Sequence, residues 1–147
     1  MSKLFIYYSL SGNGDLVAER LKSQGFEIKK VQTEYKLSKV LFFAMMKGGG
    51  DAMFNKKAKL IDYDGDVSRY DEIYVGSPVW NGRLTPPINT VLDKTDLSGK
   101  KLTFVLYSGS GYGKKAVKKL NKLYPDASVI NLKQPEKYND ELDKLNV

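Results

Sequence analysis

The sequence has no cysteine and no histidine. The first absence removes disulfides, thiolate nucleophiles and thiolate metal sites. The second removes the commonest metal ligand and the commonest general base at neutral pH. Ser-His-Asp triads, zinc hydrolases and haem held by histidine are therefore excluded. Any chemistry must use carboxylates, Lys, Tyr and Ser/Thr, or be carried by a bound cofactor. Long apolar runs are missing as well: the longest, Val40 to Met46, has seven residues, against the roughly 20 that cross a bilayer. The short apolar stretch Leu4 to Tyr8 near the N-terminus has no small-residue cleavage site after it. A cytoplasmic chain without a signal peptide is the expectation.

Arginine is scarce too. Of 24 cationic side chains only Arg20, Arg69 and Arg83 carry the guanidinium fork, on which base-edge recognition leans. Set against 17 acids, the cations leave a net charge of +7. That charge suits an acidic protein partner better than nucleic acid, because no aromatic residue interleaves the densest cluster, Lys114, Lys115, Lys118, Lys119 and Lys122. These lysines stand opposite Ala116, Val117, Leu120, Leu123 and Tyr124 at helical spacing and read as a solvated helix face.

With 147 residues and no composition break, the chain reads as one domain, residues 1–147. Strand-like and helix-like segments alternate throughout, predicting a parallel sheet with helices on both faces. The expected strands are Leu4 to Tyr8, a more polar edge strand Phe26 to Val31, Ile73 to Gly76, Lys101 to Tyr107 and Ser128 to Leu132. Helices are expected from about Gly14 to Gln24, after Thr85-Pro86, along the lysine-rich segment, and from about Pro135 to the C-terminus. Leu37, Val40, Leu41, Ala44 and Met45 make one further helical face, leaving open whether residues 35 to 70 form a dimer surface or a lid. Asp62, Asp64 and Asp66 have the spacing of a calcium loop, but Val67 and Ile73 stand where Gly and Glu are needed, so a polar turn is expected.

In such a sheet every loop leading from strand to helix opens on one edge, and ligands bind there where the strand order reverses. Three unusual loops meet that description. Ser9-Leu10-Ser11-Gly12-Asn13-Gly14 offers hydroxyls and backbone N–H groups at a helix N-terminus, the makings of a phosphate nest. Val17 occupies the third glycine position of a dinucleotide fingerprint, so the loop suits a monophosphate better than a pyrophosphate. The alternative is a glycine-rich turn that binds nothing. The second loop, Pro78-Val79-Trp80-Asn81-Gly82, holds the one tryptophan, able either to stack on a planar ring or to cap the core beneath. In the third, Ser108-Gly109-Ser110-Gly111-Tyr112, the main chain can approach a heterocycle that Tyr112 covers from outside. Gly113-Lys114 lacks the rest of a Walker motif, and no nucleophile-elbow frame surrounds any serine.

Taken in order, S-L-S-G-N-G, then V-G-S-P-V-W-N-G with T-P-P-I-N-T-V-L behind it, then Y-S-G-S-G-Y-G, resemble the three FMN loops of flavodoxins over nearly the whole chain. The closest likeness is to short, single-domain members. The resemblance implies a flavodoxin-like three-layer α/β/α sandwich on a five-stranded parallel sheet of order 2-1-3-4-5. It implies phosphate contacts from Ser9, Ser11, Gly12, Asn13 and Gly14, with Leu10 in the same loop. Ring contacts are implied from Pro78, Val79, Trp80, Asn81 and Gly82, and from Ser108, Gly109, Ser110, Gly111 and Tyr112. Gly14 departs from the family's signature, which ends in a hydroxyl residue, and the basic charge departs from its usually acidic carriers. The function implied is an electron carrier between a reductase and an acceptor, monomeric or homodimeric. Its rivals are an NAD(P)H-dependent FMN or quinone reductase on the same fold, and an anion or nucleic-acid binder with an empty flavin site.

Overall fold

The computed structural model describes residues 2–33 and 57–146. Strand β1 (Lys3–Tyr7) leads into α1 (Asn13–Ser23), β2 (Glu27–Lys30) and the short β3 (Gln32–Thr33). After the short β4 (Leu60–Ile61) come β5 (Glu72–Trp80), β6 (Arg83–Leu84) and α2 (Pro86–Lys94). The chain ends with β7 (Lys101–Ser108), α3 (Lys114–Leu123), β8 (Ser128–Lys133) and a 3₁₀ helix (Asn139–Leu145).

Five strands pair in parallel in the order β2-β1-β5-β7-β8, and β6 adds an antiparallel hairpin arm to β5. Without the short strands this is the expected 2-1-3-4-5 order. Alternate residues of each strand enter two separate cores, because successive side chains leave opposite faces of a sheet. Leu4, Ile6, Ile73, Val75, Phe104 and Leu106 face Ile88 and Val91 of α2 and Leu120 of α3. Phe5, Tyr7, Tyr74, Val105 and Tyr107 face Val17 and Leu21 of α1 and Leu142 and Leu145 of the 3₁₀ helix. Burial on both faces explains why β1 and β7 are continuous apolar runs. Gly76 is required by the second core: a Cβ there would sit 2.6 Å from the Phe5 ring, which is stacked on Tyr7 with centroids 4.9 Å apart.

Two expectations need correction. The third strand does not stop at Gly76: it continues to Trp80 and turns back as β6. Ser77 and Pro78 read locally as a turn, but pairing with Leu106 and Tyr107 carries the strand past them. The C-terminal element is not an α-helix from Pro135. Gln134 to Tyr138 forms a tight turn, with the N–H groups of Lys137 and Tyr138 donating to the Gln134 carbonyl, and a 3₁₀ helix follows. The polar turn holds: Asp64 accepts the Asp66 N–H and Asp66 accepts the Ser68 N–H. The helical face expected at 37–45 lies outside the described residues. No described helix is long and apolar enough to cross a membrane.

Candidate functional site

The carboxyl ends of β1, β5 and β7 lie side by side, because Tyr7 pairs with Gly76 and Pro78 with Tyr107. The three loops therefore share one edge, at the point where the chain leaves β1 in opposite directions to β2 and β5.

In the first loop the Ser9 hydroxyl is bound to the Ser11 carbonyl and accepts the Gly14 N–H at 3.1 Å. Ser11 Oγ accepts the Asn13 N–H at 3.4 Å. The N–H groups of Leu10, Ser11 and Gly12 have no acceptor among the described residues. They stand at the start of α1, where Gly12 provides no side-chain cap, so several unpaired donors and the positive end of the helix coincide. Ser11 and Leu10 are exposed, Ser9, Gly12 and Asn13 half-buried and Gly14 buried.

The floor beneath this loop comes from β7. The buried Tyr107 hydroxyl donates to the Tyr8 carbonyl, and a Cβ on Gly14 would lie 2.7 Å from that hydroxyl and 2.7 Å from Ser9 Cβ. The volume of the missing side chain at position 14 is thus taken by Tyr107. Burial, followed by the charge field of Tyr7 and Asp15, pushes the Tyr107 phenol far up and keeps it protonated. Beside it Tyr7 donates to Asp15 at 2.6 Å and Lys30 donates to the same carboxylate oxygen at 2.9 Å. The Tyr7 bond, reinforced by Lys30, holds the Asp15 carboxyl below its usual range.

The second loop is a hairpin turn. Asn81 and Gly82 have φ of 51° and 75°, and with Trp80 paired to Arg83 they are the two central residues of a primed turn, for which Asn-Gly is the favoured pair. The Gly82 carbonyl accepts the Ala116 N–H of α3 at 2.8 Å, which leaves the Asn81 carbonyl without a partner among the described residues. Trp80 is only 6% exposed and meets Tyr8 edge-on, with centroids 6.3 Å apart. Its burial fits the core-capping alternative. Val79 is buried and Pro78 half-buried.

The third loop is held by its own serines. Ser108 Oγ accepts the Gly111 N–H at 2.9 Å, and Ser110 Oγ donates to the Tyr112 carbonyl at 2.9 Å. Gly111 has a φ of 82°. Gly109 and Ser110 are exposed, and Tyr112 is 55% exposed at the rim. Loop three presses on loop two: a Cβ on Gly113 would lie 2.7 Å from Val79 Cγ1. From here α3 projects Lys114, Lys115, Lys118 and Lys122 into solvent. Lys119 departs from the expected face: it is half-buried, donates to Asn89 at 3.1 Å, and burial lowers its pKa.

A contribution not foreseen comes from the C-terminal turn. Glu136 N–H donates to Asn13 Oδ1 at 2.9 Å, and the Gln134 N–H donates to the Ser108 carbonyl at 3.0 Å. One turn therefore touches loops one and three. A cavity of about 710 Å³ opens at the opposite sheet edge, lined by residues 95–103 and 123–128. Its volume is ordinary for a ligand pocket, but it lies at the amino ends of the strands, away from the edge where open α/β sheets bind ligands.

No curated protein sequence matches the chain. Solved structures do. A provisionally assigned flavoprotein from Bacteroides eggerthii DSM 20697 shares 20% identity over 99% of this chain and 98% of that one, with a TM-score of 0.74. A flavoprotein from Lactobacillus acidophilus NCFM, crystallised in complex with FMN, shares 25% identity over 97% and 98%, with a TM-score of 0.62. An archaeal flavodoxin shares 17% over 99% and 93%, with a TM-score of 0.55. The Flavodoxin family model matches residues 2–146. With the strand order, the three loops on its switch edge and a family match over nearly its whole length, the chain belongs to the flavodoxin family.

Proposed function

We propose that this flavodoxin binds FMN noncovalently across its three loops and carries electrons between a reductase and an acceptor protein. The observation that carries the reading is the first loop: unpaired N–H groups of Leu10, Ser11 and Gly12 beside the exposed Ser11 hydroxyl, at the positive end of α1. Such a donor set holds a terminal phosphate without Lys or Arg. FMN supplies the electron chemistry when bound. Residues 78–82 and 108–112 border its ring, with the exposed Tyr112 on the outer side and the Asn81 carbonyl able to accept from a ring N–H. The FMN complex of the Lactobacillus acidophilus relative supports the same cofactor here.

Carrier activity is favoured by the basic face beside the site. The lysines of α3 start beside loop three, and with a net charge of +7 they suit an acidic redox partner. The same lysines favour one rival, an NAD(P)H-dependent reductase, since they could hold the phosphates of a nicotinamide nucleotide. Anaerobic mixing of the FMN-loaded protein with NADH or NADPH separates the two. A carrier bleaches only after a reductase is added, whereas rapid bleaching by the nucleotide alone establishes the reductase.

A further inference from the structure

The C-terminal turn brings a carboxylate to the phosphate loop. Glu136 Oε1 occupies the space that a Cβ on Gly12 would take, so the acid lies directly over the N-cap of α1. It is held by the bond from its own N–H to Asn13 Oδ1, 2.9 Å long, and by the docking of Gln134 on Ser108. Lys133 and Gln134 fill the space beside Gly111 and Gly109, where added Cβ atoms would lie 3.0 and 3.3 Å from them. The turn is thus a built part of the rim. Among the described residues no cation lies within ion-pair distance of the Glu136 carboxylate. The nearby Lys133 and Lys137 lie over the Tyr138 ring instead, 5.2 and 5.7 Å from its centroid.

A carboxylate held over the N-cap of α1 lies at the positive end of the helix beside the phosphate donors, and it repels a second anion that seeks those donors. We propose that Glu136 is a specificity-determining residue of the flavin site, a fixed negative charge at the N-cap of α1 that opposes the phosphate of FMN. This rests on the FMN reading above and deepens it. The consequence is selective: Glu136 weakens binding of the phosphorylated flavin and leaves riboflavin, which has no phosphate, unaffected. It narrows the preference for FMN over riboflavin and speeds release of FMN.

The test is fluorescence titration of the full chain and of Glu136→Gln with FMN and with riboflavin, together with the FMN dissociation rate. Because Glu136 is exposed, the substitution is not expected to disturb folding. The expected result is FMN affinity raised roughly three- to tenfold, a slower FMN release, and riboflavin affinity unchanged, with the gain shrinking as salt rises. FMN affinity unchanged or lowered in Glu136→Gln would overturn the proposal, as would an equal gain for both flavins, which would mean a looser turn instead of a removed charge. If neither protein binds FMN, the FMN reading itself fails and this inference falls with it. Inorganic phosphate gives a flavin-free readout: it should raise the melting temperature of the apo variant more than that of the unsubstituted protein.

Discussion

Replacing Gly14 by alanine tests how the phosphate loop is supported. The added methyl would lie 2.7 Å from both the Tyr107 hydroxyl and Ser9 Cβ, and 2.9 Å from Ser9 Oγ. These contacts are ~0.8 Å inside the ~3.5 Å at which heavy atoms attract best. Tyr107 cannot retreat without leaving the Tyr8 carbonyl and entering the packed second core. Ser9 can move, but only by giving up the Gly14 N–H, which disturbs the loop. Overpacking of this kind costs about 1–3 kcal/mol. Gly14→Ala should therefore lose about that much stability in urea titration of the apo-protein, or lose FMN affinity by about 5- to 150-fold if the loop yields instead. Removing the opposing hydroxyl relieves part of the clash, so Tyr107→Phe should be less harmful in the Gly14→Ala background than alone, by roughly 1 kcal/mol. Unchanged stability and unchanged FMN affinity in Gly14→Ala would refute the claim that Tyr107 has taken the space of a side chain at position 14.

Trp80→Ala should destabilise the protein by about 3–5 kcal/mol, as expected for a large buried aromatic, measured by urea unfolding; a loss below about 1 kcal/mol would show that the indole is not part of the core. Acid should weaken the fold. The Asp15 carboxyl is held low by Tyr7 and Lys30, so its contribution is present above the unfolded carboxylate pKa of ~4 and is lost as pH falls through the lower folded value. Asp15→Asn should flatten the stability profile below about pH 4, and a slope identical to the unsubstituted protein would refute the assignment. Electron transfer to an acidic partner should slow as salt rises, over a screening length of ~10 Å at 0.1 M, and more weakly so in Lys114→Gln/Lys118→Gln; a salt-independent rate would remove the basic face from partner docking.

Much of the architecture was legible because burial on both faces of a parallel sheet writes itself as continuous apolar strands, as in Leu4 to Tyr7 and Leu102 to Tyr107. The site edge followed from where the Gly- and Ser-rich loops fell relative to those strands. Other features depend on contacts between distant residues. Ser77 and Pro78 signal a turn to any local rule, and only pairing with β7 and β6 makes them strand. The Asn81-Gly82 pair was a visible hairpin signal, hidden by the assumption that β5 had already ended. Leu142 and Leu145 stand three apart, a spacing that a 3₁₀ helix satisfies as well as an α-helix does. Neither the Tyr107 hydroxyl under Gly14 nor the Glu136 carboxylate over Gly12 has a sequence signature, since each joins segments about 90 to 120 residues apart whose own surroundings are unremarkable.

In the proposed complex FMN sits on the edge formed by loops one, two and three, with its phosphate on the N-terminus of α1. Amide chemical-shift mapping of the isotopically labelled apo-protein during titration with FMN tests it directly. The largest changes are expected at the N–H groups of residues 10–12, with further changes confined to 78–82, 108–112 and the C-terminal turn at 134–138, and much weaker binding of FAD. Shifts centred on residues 95–103 and 123–128 at the opposite edge, or equal affinity for FMN and FAD, would contradict it.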